Sequence, residues 1–293
     1  MGIKEDLAVR VSFGRVFLTG LTRFTGLSML KLCRYLGDSV YGLKSIAEGC
    51  FRLSRPSSFN DPFDCDGRAD GLCGINPKYI VGEDAYAQMR KTPLGLIGIC
   101  ELRSVTKQQW DSPMFVDNIA RIMCFTRETA SIKSHMLFWS HYANNGRGIR
   151  IHFNIPRQVK DVYEIRKVKY VDTLPRCNLD KISRMDRDPE AIAFCDNRIW
   201  TKGTAWACEK EYRLRMFVTA RDPNFVKVDK ASGDMFLQIP AEWISCVDLG
   251  PRSELTILKP FIKELKADKR FTHIQFRHAS KDPDRYRYLY KEI

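Results

Sequence analysis

The chain lacks every short signature that would name a nucleotide fold outright. No G-x-G-x-x-G and no G-x-x-x-x-G-K-[ST] run occurs, so Rossmann and P-loop readings are set aside. None of the ten cysteines forms a C-x-x-C pair, and the five histidines make no H-x-x-x-H or H-x-H pair. Structural zinc wants paired ligands at short spacing, so no metal is expected. Scattered cysteines in a chain of this length read as reduced thiols of a cytoplasmic protein. No apolar run reaches the roughly 18 to 20 residues of a membrane span. Internal repeats and low-complexity linkers are also missing.

What is present is ordinary in amount. Of 293 residues, 44% are hydrophobic and 28% charged, enough apolar surface for a core and against wholesale disorder. Forty-eight Lys and Arg face thirty-five Asp and Glu, leaving a net charge of +13. Such a surface attracts nucleotides, nucleic acid or acidic membrane. The excess is spread along the chain and not concentrated in the stripe of a dedicated DNA-binding element. Residues 1–28 mix apolar residues with Arg10, Arg15 and Arg23 and show no clean period, so they are expected to form a poorly ordered N-terminal extension.

From residue 29 onward, short strands alternate irregularly with helices. That pattern predicts a single α+β domain over 29–293, with a mixed or antiparallel central sheet and flanking helices. Strands are expected at Leu30–Tyr35, Cys50–Ser54, Arg121–Thr126, Gly148–Phe153, Glu164–Val171, Tyr212–Val218, Ile244–Leu249 and Phe271–Phe276. The strand of Arg34 should share one sheet with those beginning at Cys50 and Glu211. Asp38 or Ser39 caps a helix that Gly49 stops. Further helices are expected over most of 76–119, at Ile132–Ala143, near Ala191–Trp200 and from about Ser253 to Ala267. A hairpin turning at Ser232-Gly233 completes the set.

Three boxes carry chemistry. In Leu53 to Asp64, Asn60-Asp61-Pro62 is a turn maker that Phe59 and Phe63 would pin to the core. Alternatively, Ser54, Asn60 and Asp61 point into a cleft. In Phe138 to Gly148, an aromatic helix ends at Asn144-Asn145-Gly146, a C-cap signal. Trp139 and Tyr142 are either core or a stacking wall for a flat ring, and His141 is either a hydrogen-bonded helix-end histidine or a base. In Trp206 to Arg215, an extended backbone would place Glu209, Glu211, Arg213 and Arg215 on one face. These four are either a surface ion-pair ladder or the lining of a cleft.

At these boxes the chain resembles a large bacterial family known as domain of unknown function 2971. The shared elements stand here as Arg34-Tyr35, Ser57 to Asp64, Cys124-Phe125-Thr126, Trp139 to Tyr142 and Trp206 to Arg213. They run from about Met29 to the C-terminus and assign no activity. A fainter resemblance is to ADP-ribosyltransferases, which carry an Arg or His on the first strand, a Ser or Tyr on the second and a Glu opening a late strand. Here Arg34, Ser54 and Glu209-Lys210-Glu211 occur in that order.

This second resemblance implies an ADP-ribosyltransferase-like fold and cleavage of the nicotinamide–ribose bond of NAD through an oxocarbenium-like state. It further implies that Arg34 holds the pyrophosphate, Ser54 positions the ribose, Glu211 bonds the ribose 2′-hydroxyl and Glu209 orients an acceptor on protein or nucleic acid. Trp139 or Tyr142 would stack on nicotinamide, and Tyr35, Asn60 and His141 complete the expected cofactor-binding set. The chain departs from the pattern where Ser54 is followed by Arg55-Pro56 and not Thr-Ser.

Two other classes compete. A metal-dependent nuclease would draw on Asp61, Asp64, Asp66 and Glu209 or Glu211 as oxygen ligands for Mg²⁺. A noncatalytic module would bind nucleic acid or a partner through charge alone.

Overall fold

A computed structural model describes residues 28–70, 83–89, 91–92, 111–128, 132–157, 163–178, 189–220 and 222–293. The expected extension, apart from Ser28, lies outside these residues. So does most of the helical stretch expected over 76–119, of which α2 (Glu83–Met89) and α3 (Pro113–Asp117) are described.

The fold is α+β in one domain. Its centre is an eight-stranded mixed sheet in the order β15-β14-β13-β5-β1-β4-β10-β6. The strands are β1 (Met29–Leu36), β4 (Ala120–Arg127), β5 (Ile149–Pro156), β6 (Ile165–Lys167), β10 (Glu211–Phe217), β13 (Ile244–Leu249), β14 (Gln275–Lys281) and β15 (Tyr288–Glu292). Only β13 and β14 run parallel; the other neighbours are antiparallel. A smaller sheet, in the order β11-β12-β2, comprises β2 (Cys50–Arg52), β11 (Val226–Val228) and β12 (Met235–Gln238). Two parallel pairs complete the strands: β3 (Arg68–Asp70) with β8 (Arg176–Asn178), and β7 (Lys169–Val171) with β9 (Thr201–Gly203). The other helices are α1 (Ser39–Glu48), α4 (Ile132–His141), α5 (Pro189–Trp200) and α6 (Leu255–Ala267).

Strand alternation gives the central sheet two unlike faces. One carries Leu32, Ile151, Phe153, Phe125, Leu214 and Val247, joined in a single core with Phe51 and Leu237 of the small sheet and with Leu43, Ile46, Leu258 and Ile262 of α1 and α6. The opposite face carries Cys33, Tyr35, Arg150, His152, Asp248, Glu211, Arg213 and Arg215, all buried. Polar groups at such positions must find partners within the protein, and that requirement builds the site described below.

Local chemistry explains where the elements stop. Asp38 accepts from the Tyr41 amide at 2.9 Å to start α1, and Gly49 ends it in the left-handed region at φ 65°, where glycine has no Cβ to clash. Gly148 precedes β5 because a Cβ there would lie 2.0 Å from the Leu36 carbonyl oxygen.

Four expectations need correction. β2 pairs with β12 in the small sheet, not with β1 or β10. The strand expected over 164–171 breaks at buried Val168 into β6 and β7, which pair with different partners. Phe271–Ile274 forms a turn, closed by the Ile274 amide on Phe271, so the last expected strand starts only at Gln275. The fourth is an omission: β3, β8, β9 and β15 were not foreseen.

The seam between β1 and β4 positions the site. β1 keeps eight register pairs with β5, from Met29↔Pro156 to Leu36↔Ile149, and β10 keeps seven with β4. β1 and β4 share only Leu32↔Arg127 and Cys33↔Thr126. Past that point β4 exchanges backbone hydrogen bonds with Ser54 instead, Ile122 facing Ser54. A gap opens where the strands diverge.

Candidate functional site

That gap is a cavity of about 310 Å³. Eight of the nine expected site residues line it: Arg34, Tyr35, Ser54, Asn60, His141, Tyr142, Glu209 and Glu211. They come from β1, the segment after β2, the end of α4, and the turn leading into β10. Trp139 does not line it. Its ring is 1% exposed, packs edge-on against Tyr35 and donates its indole N–H to the Tyr290 hydroxyl, so it belongs to the aromatic core behind the wall. The aromatic residues that line the space are Phe59, Phe125, Phe138 and Tyr142, with Tyr35.

The floor is a buried ionic network. Arg213, fully buried, donates from Nη2 to both Asp64 oxygens at 2.7 Å, from Nε to Glu211 at 2.7 Å and from Nη1 to the Ile199 carbonyl at 2.7 Å. Lys202 donates to Glu209 at 2.7 Å and Glu211 at 3.2 Å, with Asp64 3.6 Å away. Tyr142 donates its hydroxyl to Glu209, and Tyr170 caps the network by accepting from the Glu211 amide. The surface-ladder reading is therefore incorrect: Glu209, Glu211, Arg213 and Arg215 are all buried. Nor is the whole segment extended. Glu209 closes a 3₁₀ turn over Thr204–Glu209, Lys210 adopts a left-handed conformation, and the strand begins at Glu211. Both carboxylates still reach Lys202.

The carboxyl groups differ in charge tendency. Burial pushes the Glu211 carboxyl up, but Arg213 and Lys202 overcome it and hold it well below the usual glutamate value. Burial wins for Glu209 and for Asp64, whose carboxyls are raised. Two neighbouring carboxylates with opposite tendencies are the arrangement in which acid and base roles separate.

Arg34 stands apart. Among the described residues its buried Nη1 meets no hydrogen-bond partner, while Nη2 reaches the Arg52 carbonyl at 3.5 Å. Burial lowers its pKa. Arg34 lines the cavity, but its Nη1 has essentially no exposed surface, so the missing partner is a cost of burial.

The remaining expected residues resolve as follows. Tyr35 is locked by its hydroxyl to His135 at 2.8 Å and to Arg150 at 3.3 Å. His141 is exposed at the end of α4, beside the Tyr142 ring. Asp61 is structural, accepting from the Phe63 amide at 3.0 Å to form the turn; it does not line the cavity, and Phe63 is 62% exposed instead of pinning the turn. Asp66 pairs with Arg68. Asp61 and Asp66 thus have partners of their own, while Asp64, Glu209 and Glu211 share Lys202 and Arg213; among the described residues no grouping of potential metal ligands includes these carboxylates.

Four lining residues that carry chemistry were not foreseen as part of the NAD site. Lys202 sits in the short strand β9 with no motif around it. Cys33 and Cys124 read as ordinary buried thiols. Asp64 was visible only as the last letter of its box. Among the described residues, no helix is long and apolar enough to cross a membrane. Set against protein-family models, curated proteins and solved structures, the chain matches none of them.

Proposed function

We propose that the cavity takes the nicotinamide–ribose end of NAD and that the protein is an ADP-ribosyltransferase-like enzyme. The observation that carries this reading is the convergence of Arg34, Ser54, Glu209 and Glu211 on one cavity, at the point where two central strands part. A volume of about 310 Å³ is at the lower end of small-molecule sites, suited to part of a dinucleotide with the remainder at the mouth.

In this reading the Arg34 guanidinium turns into the cavity to grip the pyrophosphate, which supplies the anion it lacks. Ser54 orients the ribose. Glu211, kept ionised by Arg213 and Lys202, bonds the 2′-hydroxyl and opposes the positive charge that grows on the sugar as the bond to nicotinamide breaks. The bond's electron pair leaves with nicotinamide, and the acceptor's lone pair closes on the anomeric carbon. Glu209, whose raised carboxyl suits proton exchange, takes the acceptor's proton. The net charge of +13 favours an acidic acceptor, nucleic acid among them.

Calorimetric titration with NAD tests the reading. The parent protein is expected to bind, and Arg34→Lys to bind about tenfold more weakly, because an ammonium loses the two-pronged contact worth about 1.4 kcal/mol. No heat of binding by the parent at millimolar NAD ends the proposal.

A further inference from the structure

Behind Cys33, away from the ionic floor, three atoms of metal-ligand type meet. The Cys33 sulfur on β1, His152 Nδ1 on β5 and a Glu128 carboxylate oxygen just past β4 lie within 4.8 Å of one another. Cys33 and His152 are direct cross-strand partners, and the Glu128 amide donates to the Lys31 carbonyl, which ties it beside β1. The sheet itself therefore fixes the trio.

The spacing suits an ion. His152 Nδ1 is 3.0 Å from Glu128 Oε1 and 3.5 Å from Cys33 Sγ. A tetrahedral Zn²⁺, with bonds of about 2.0–2.1 Å to nitrogen or oxygen and about 2.3 Å to sulfur, sets neighbouring ligands roughly 3.3 to 3.6 Å apart. These two separations agree to within a few tenths of an ångström, and Cys33 and Glu128 lie within 4.8 Å of each other. The far side of the imidazole fits as well. His152 Nε2 lies 2.7 Å from Asp248 Oδ2, and Asp248 is itself held by Arg150 at 2.8 Å and Arg277 at 2.7 Å. A metal-binding histidine characteristically donates its second ring N–H to such a carboxylate. With that proton on Nε2, Nδ1 presents a lone pair toward a carboxylate and a sulfur. Either a second proton on Nδ1 pairs the ring with Glu128 as well as Asp248, or a cation sits among the three electron-rich atoms.

We propose that Cys33, Glu128 and His152 bind a thiophilic divalent cation of the Zn²⁺ type, with Asp248 orienting the imidazole. Cys33 lines the cavity and Glu128 is half-exposed, so a fourth position opens toward water or a bound molecule. Three protein ligands and one open position is the pattern of a catalytic zinc and not of a structural one. A neighbouring trio of His152, Cys246 and Asp248 is less suited, because both Asp248 oxygens already accept from arginines. The site uses none of Arg34, Ser54, Glu209 or Glu211 and does not depend on the NAD reading. No motif search finds it, because its ligands come from two strands and the residue just past a third.

Co²⁺ serves as the probe, added to the full chain after treatment with a chelator. The expected result is uptake of about one Co²⁺ per chain, the intense visible bands of four-coordinate Co²⁺, a sulfur-to-cobalt charge-transfer band in the near ultraviolet, and displacement by Zn²⁺. Cys33→Ser should abolish the charge-transfer band. Glu128→Gln, at a half-exposed position that tolerates substitution, should keep the melting temperature and weaken Co²⁺ binding at least tenfold. Absence of saturable Co²⁺ and Zn²⁺ uptake at millimolar metal overturns the proposal, with a proton then filling the cation's place on His152. A charge-transfer band that survives Cys33→Ser, or affinity unchanged in Glu128→Gln, assigns the ion to other thiols and overturns it equally.

Discussion

Glu211 shows how far a residue's surroundings reset the meaning of a substitution. As a hydrated cleft carboxylate, its change to Gln would cost under about 1 kcal/mol. The side chain instead fills the space between two cations, one of them fully buried. Glu211→Gln is therefore expected to destabilise the fold by about 3–5 kcal/mol, the usual cost of leaving buried charge uncompensated, measured by urea unfolding near neutral pH. The same variant separates the acid response. A carboxyl held below its unfolded value adds stability that is complete above that value and is lost as pH falls toward the folded one. The Glu211 contribution should thus fade below its usual value of 4.5. Asp64 and Glu209, with raised carboxyls, act with the opposite sign and remain in both proteins. The stability gap between parent and Glu211→Gln should accordingly narrow on acidification from about pH 5 to pH 3. A constant gap would show that folding leaves the Glu211 pKa unshifted, and a gap that widens would show its carboxyl raised instead of lowered.

At the scale of elements, the legible parts were those with local causes. Asp38 and Gly49 bracket α1, Asn144-Asn145-Gly146 ends α4 with three consecutive left-handed residues, and alternation marks β1, β4, β5, β10 and β13. Pairing between distant strands was not legible, because periodicity says which face a residue takes but not which strand lies beside it. Hence β2 was placed in the wrong sheet, and Lys202, 7 and 9 positions from its carboxylate partners, went unnoticed. Lys210 explains the misplaced Glu209: one left-handed residue breaks an extended run without altering its pattern. Trp139 was misread because a helix of aromatics shows no sign of which ring turns inward. Gly148 offers a test of element placement. With a Cβ 2.0 Å from the Leu36 carbonyl oxygen, Gly148→Ala should cost about 2 kcal/mol or more, since backbone and not a flexible side chain must yield. A change under about 0.5 kcal/mol in thermal melts, typical of unconstrained surface positions, would show that the β1–β5 end is loosely set.

For the molecule as a whole, charge and division of the sheet matter most. The buried ionic groups nearly balance, three carboxylates against Lys202 and Arg213 at the floor, so the excess of +13 arises elsewhere and is available to steer an acidic partner. The central sheet, meanwhile, is continuous in order but unevenly joined. Two register pairs connect β1 to β4, against eight and seven in the ladders on either side. A plate with one poorly stitched row opens along that row. Amide hydrogen exchange should accordingly resolve two cooperative units, β1-β5-β13-β14 and β4-β10, with separate opening free energies. Uniform protection across the seam would show that the helices and loops bridging it compensate fully. Because the cavity lies on the seam, a molecule seated there touches both halves at once, Arg34 on one and Glu211 on the other. Its binding energy would be felt as a clamp, slowing exchange in strands that never contact it.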